Sequence, residues 1–275
     1  MFLCRRASVR NTFATSEGIL LAGGMGLNSI MPVRLAREPL IEAIWELRFQ
    51  SRARAVGDVL PGLVYGQLQN KYPHVVRLPV ADIPRPIAQQ EASLRYMPRI
   101  AMHAENQAVL LGERVAALSV RRPYRGWAKF SDDIRTLIAV LQETGLIDTI
   151  ERFSLKYVDV IDIGPEPTLN WLNMTLRLGA HEIGAEPAQV RAEIREGNVT
   201  HMVQAISPAE VKFDDGSETL QGVLLEIDSV RLMTPGESWS VVQSELDAIH
   251  DSCKQMFFSL LTAETLAKLE PVYEE

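Results

Sequence analysis

The stretch Leu40-Ile-Glu-Ala-Ile-Trp-Glu-Leu-Arg-Phe-Gln50 decides how this chain folds. Ile41, Ala43, Trp45, Leu47 and Phe49 fall on one side of an extended chain. Glu42, Glu46 and Arg48 fall on the other with Ile44, the period-two alternation of a half-buried strand. A second long strand is read at Glu151–Ile163 (ERFSLKYVDVIDI). Phe153, Leu155, Tyr157 and Ile161 share one of its faces, with Asp159 among them, and Gly164, Pro165 and Pro167 close it.

Each long strand opens a similar series. After the first, a helix is expected from an Asp58 cap to about Lys71, with Pro61 tolerated in its first turn and Pro73 ending it. Residues 75–90, with Pro79, Pro84 and Pro86, read as an extended loop. Short strands follow at 99–104, 108–114 and 116–121. Ser131 is read as the cap of a second helix whose stripe is Ile134, Leu137, Ile138 and Leu141, stopped at Gly145. After the second long strand, an irregular stretch to Pro187 carries Trp171, Leu172, Met174 and Leu176. Strands are then read at 190–196, 200–206 and 221–232. Glu196-Gly197-Asn198 turns the first pair into a hairpin, and Phe213-Asp214-Asp215-Gly216 reads as an exposed turn. A long helix is expected over 238–261, with Leu246, Ile249, Cys253, Phe257 and Leu260 on one face, and Thr262 caps a short last one. Strands in runs, not alternating with helices, argue for α+β: an antiparallel sheet of about eight strands with helices packed on one face. The series repeats, so two similar halves, 34–146 and 147–275, are expected within a single domain over 34–275.

Composition bounds the function. The chain has 275 residues, 47 % hydrophobic and 23 % charged, values ordinary for a globular protein large enough to bury its own core. Residues 1–130 carry 18 Lys+Arg against 9 Asp+Glu, net +9; residues 131–275 carry 10 against 26, net −16, which together give the overall −7. Such a split suits docking on a charged partner or head-to-tail self-association. Cys4 and Cys253 alone make no disulfide framework, which fits a cytoplasmic location, and no apolar run reaches the roughly 18 residues of a membrane helix. Residues 1–33 read as a disordered tail or a start placed too early, with Met1, Met25 and Met31 as the candidate starts.

Five segments also bear a family likeness: REPLIEAIWELRF (Arg37–Phe49), PGLVYGQL (Pro61–Leu68), Tyr124-x-x-Trp-x-x-Phe130, the FSLKYVDVIDI strand, and Leu246-Asp-x-x-His250 with Phe257 and LLTAETLAKL. In this order they resemble a sporadically distributed family of uncharacterised bacterial proteins known by a number. The resemblance spans about residues 37–269. It implies a bacterial protein and, through the scattered distribution, a defence or toxin–antitoxin type locus with a protein partner. The family's Arg-Tyr-Ile-Asn stretch is Lys156-Tyr157-Val158-Asp159 here.

Two clusters are candidate sites. Lys156, Tyr157 and Asp159, with His250 on the last long helix, could bind a ligand, a carboxylate beside a tyrosine being a possible general base. Arg121, Arg122, Tyr124, Arg125 and Trp127 interleave basic and aromatic residues, a pattern that can hold phosphates and stack bases. The five histidines (74, 103, 181, 201, 250) lack ligand spacing, and Gly23-Gly24-Met25-Gly26 lacks the Lys-Ser/Thr ending of a phosphate loop, so neither metal nor cofactor is expected. Three functions follow: a non-catalytic binding or interaction protein; a small-molecule binder or enzyme with a cavity between sheet and C-terminal helix; or a nucleic-acid-binding protein.

Overall fold

The structure, a computed structural model, describes residues 31–84, 87, 90–91, 94–213 and 219–274. The expectations for residues 1–30, and for the tip of the 213–216 turn, lie outside the described residues.

A nine-stranded antiparallel sheet dominates, in the order β10-β11-β12-β7-β2-β6-β5-β4-β3. The central pair is β2 (Leu40–Gln50) against β7 (Thr149–Ile161). On one side lie β6 (Val115–Arg121), β5 (Gln107–Leu111), β4 (Ile100–Ala104) and β3 (His74–Arg77). On the other lie β12 (Thr219–Leu232), β11 (Val199–Lys212) and β10 (Ala188–Glu196). Moving outward from the β2–β7 seam, each side presents a long strand and then the last, middle and first strands of its own meander. Two small pairs complete the strands: β1 (Arg34–Leu35) with β13 (Pro271–Val272), and β8 (Leu176–Leu178) with β9 (His181–Ile183).

The ninth strand, β3, comes from the stretch read as an extended loop. His74–Arg77 pairs in register with β4, His74 opposite His103. All four β3 residues are exposed, so no burial pattern marked the strand.

Helices pack on one face of the sheet, as the alternation required. They are α1 (Val56–Leu68), α2 (Trp127–Glu143), α3 (Trp239–Ser244), α4 (Leu246–Ser259) and α5 (Ala263–Lys268). Ala43, Trp45, Leu47 and Phe49 meet Leu60 and Val64 of α1, and Ile134, Leu137 and Leu141 of α2, in the larger core. Val223, Leu225 and Ile227 of β12 meet Cys253 and Met256 of α4 in the second. These side chains are nearly or fully buried, and each Val, Leu, Ile, Phe or Met among them is worth about 1.5–3 kcal/mol of transfer free energy.

Three helix details depart from expectation. Asp58 does not cap α1; the helix begins earlier, with Ala55 at its cap position. Ser131 does not cap α2. The helix starts four residues earlier, after Gly126, whose φ of +87° suits a residue without Cβ. Ser131 lies inside, its hydroxyl donating to the Ala128 carbonyl. Asp133 is buried and accepts from Lys71 (2.6 Å), Lys129 (2.8 Å) and Gln107 (3.0 Å). The long C-terminal helix breaks at Glu245 (φ −94°, ψ 2°) into α3 and α4. The buried Arg231 pulls at that point, holding Glu245 at 2.8 Å and Glu237 at 2.6 Å.

A β-bulge shifts the β2–β7 register between Leu40 and Glu42. It moves Ile41 from the face expected of it to the opposite one, where it packs with Val160 and Leu220. Leu40 is left opposite Asp159.

Candidate functional site

That bulge borders a cavity of about 580 Å³ between the sheet, α4 and the start of α2. Its floor is β7. Tyr157 and Asp159 are two residues apart on the helix-facing side, next to Ile227 of β12. Its roof is α4, where His250, Cys253, Lys254 and Phe257 recur at the spacing of one helical face. The third wall is the turn into α2, with Tyr124, Arg125, Gly126 and Trp127. The segment from Val33 to Leu40 forms the remaining side, with Glu38 exposed on it.

The two sequence clusters therefore meet. Tyr157, Asp159 and His250 from one share the cavity with Tyr124, Arg125 and Trp127 from the other. The Tyr157 hydroxyl lies 3.0 Å from Nδ1 of His250. Trp127 stacks on the His250 ring and donates from Nε1 to Asp247 at 2.9 Å. Tyr124 meets Tyr157 edge-on, ring centroids 6.4 Å apart. Its hydroxyl is buried with no hydrogen-bond partner of good geometry.

Three residues from the clusters stand apart. Lys156 points to the opposite face of the sheet, 2.8 Å from Glu226, because neighbours in a strand face opposite ways. Arg121 lies 3.8 Å from Glu42. Arg122 is structural: Nε donates to the Leu40 carbonyl (2.9 Å) and Nη2 to that of Glu38 (3.1 Å). Arg125 remains at the rim, 69 % exposed and 3.8 Å from Glu105. The arginines do not form the continuous basic surface that phosphate contacts need.

Asp159 is 4 % exposed, and among the described residues no hydrogen bond reaches its carboxyl. Burial, and secondly the charge of Glu38, push its pKa up to about 8 against the pull of Arg122. The surrounding groups are also held neutral. Burial drops His250 to about 4, lifts Tyr157 well above the phenol range, and pushes the Tyr124 hydroxyl and the Cys253 thiol up to about 12. The cavity thus has an uncharged, aromatic interior around one carboxyl group that titrates in the neutral range. Such a carboxyl can serve as hydrogen-bond donor or acceptor, or as the counter-charge to a cation.

Glu38, Leu40 and Phe257 were not read as site residues in the sequence. Glu38 carried no local signal, since it depends on how the segment before β2 crosses the cavity. Among the described residues, no group of three or more His, Cys, Asp or Glu could hold a metal ion, and no helix is long and apolar enough to cross a membrane. No family model matches the chain, and no curated protein matches it.

Proposed function

We propose that this chain is a small-molecule-binding protein, its site the cavity between sheet and α4, acting by binding and not by catalysis. The observation that carries this reading is Asp159, a buried carboxyl with no hydrogen bond to it among the described residues, which borders a space of about 580 Å³. Isolated buried polar groups cost about 1–3 kcal/mol, so a protein keeps one where a ligand completes it. The volume suits a small organic ligand, and apolar walls with a few polar groups are the usual composition of such sites. Against catalysis stands the electrostatics: the Cys253 thiol and the Tyr157 hydroxyl are held in their unreactive neutral forms. Two cysteines in 275 residues support the cytoplasm as the working compartment.

Thermal-shift screening of a metabolite collection tests this. Ligands of the site should raise Tm of the native protein and not that of Tyr157→Phe or Asp159→Asn. Saturation at a hundredfold excess over Kd corresponds to about 2.7 kcal/mol. Stabilising compounds that act equally on both variants would overturn the assignment.

A further inference from the structure

Building on the cavity reading, we propose that the ligand carries a protonated amine on a flat apolar body, with the ammonium group seated against Asp159.

At depth, the Asp159 carboxyl accepts no hydrogen bond from the described residues. A ligand must bring donors to it, and an ammonium group brings three together with the opposite charge. The groups facing Asp159 are Tyr157 on its own strand, Arg122 and Tyr124 ahead of α2, Glu38 on the segment before β2, and Cys253 and His250 on α4. Of these, only Arg122 is cationic, and two of its donors are occupied by backbone carbonyls. Glu38 adds a second carboxylate at the exposed edge. With two Arg122 donors taken up by backbone carbonyls, the buried Asp159 carboxylate is the charge a ligand meets once it ionises.

The walls fit the other half of the ligand. Trp127, Tyr124, Tyr157 and Phe257 present four aromatic side chains to the cavity. Aromatic faces attract a nearby cation by about 0.5–2 kcal/mol and take up flat apolar groups. Arg34, Arg125 and Lys254 line the mouth. Arg34 and Arg125 are exposed, so water and salt screen them, whereas Asp159 is shielded from both.

Proton linkage gives the inference a distinct signature. Asp159 holds its proton up to about pH 8 in the empty cavity. An ammonium group displaces that proton, so binding releases one and tightens as pH rises towards that value.

Matched pairs of probes test it: benzylamine and benzyl alcohol, phenethylamine and phenethyl alcohol, tryptamine and tryptophol. Titrations followed by calorimetry in buffers of different ionisation enthalpy report affinity and proton release together. At least one amine is expected to bind more than tenfold tighter than its alcohol at pH 8. The preference should weaken by about tenfold per unit between pH 8 and 6 and vanish in Asp159→Asn. The pH series on the native protein needs no variant to fold. Amine and alcohol binding equally well, with loss of both in Tyr157→Phe, would overturn the cationic ligand and leave the cavity reading standing. No binding by any probe, or binding indifferent to both substitutions, would overturn both.

Discussion

Trp127 lies flat on His250, with ring centroids 4.1 Å apart and planes 3° from parallel. The contact joins the start of α2 to α4 and gives the cavity an optical reporter. Burial holds His250 neutral down to about pH 4, with Asp247, Asp251 and Lys254 as its charged neighbours. A protonated imidazole in stacking contact quenches indole emission. Fluorescence lost in Trp127→Phe should therefore fall with a midpoint near pH 4; a midpoint near 6.5, the ordinary value, would contradict the burial of His250.

Asp159 and His250 set opposite limits on stability. The Asp159 pKa rises on folding from 3.8 to about 8, so the unfolded chain ionises first and stability falls as pH climbs through that window. Asp159→Asn should remove this loss and stabilise the empty protein at pH 8 by about 1–3 kcal/mol, several degrees in Tm. His250 is depressed from 6.5 to about 4, so its contribution is lost as pH falls through that range, and His250→Gln should flatten the acid side. Thermal melts from pH 4 to 9 check both arms.

Asp133 ties α2 to Lys71, Lys129 and Gln107, the last of which also accepts from Tyr72 at 2.9 Å. Its pKa is lowered, burial being outweighed by hydrogen bonds from Lys129, Lys71 and Gln107. The stabilisation is therefore present above the ordinary 3.8 and is lost progressively as pH drops below it. Asp133→Ala should cost about 1–3 kcal/mol at pH 7, since both lysines are partly solvated, and less at pH 3. Urea denaturation at the two pH values measures the difference.

Gly222 lies in β12 next to Val223, which pairs with Ile161 of β7. A Cβ there would overlap the carbonyl oxygen of Ile161. Backbone cannot step aside as a flexible side chain can, so Gly222→Ala should destabilise by about 2–4 kcal/mol, read from the urea midpoint. By contrast, Gly62 has open space beside it, and Gly62→Ala on the exposed side of α1 should be neutral or slightly stabilising.

Much of the architecture was legible because a two-residue period is hard to mistake. The alternation in β2 and β7 named the core faces, and the same alternation put Tyr157 with Asp159 and sent Lys156 away. Ile41 escaped because a bulge changes the parity of a strand without changing its composition. β3 escaped because an exposed edge strand has no apolar face to betray it. The α3–α4 break depended on Arg231, a partner on a distant strand. Within the site, Asp159 stood out as a carboxyl on an apolar face. The convergence of Tyr124 and Trp127 upon it did not, since more than 25 residues separate the two segments and only the β2–β7 seam brings them together.

That seam has a consequence for how the molecule can be divided. Tyr124 and Trp127 are made before residue 146 and Tyr157, Asp159 and His250 after it, so each half carries one jaw of the cavity. An occupant of the proposed kind would grip both jaws and add its binding energy to the edge-to-edge pairing of β2 with β7. A chain cut between α2 and β7 would then become a two-piece receptor mended by its own ligand, and the extent of reassembly would count the molecules bound.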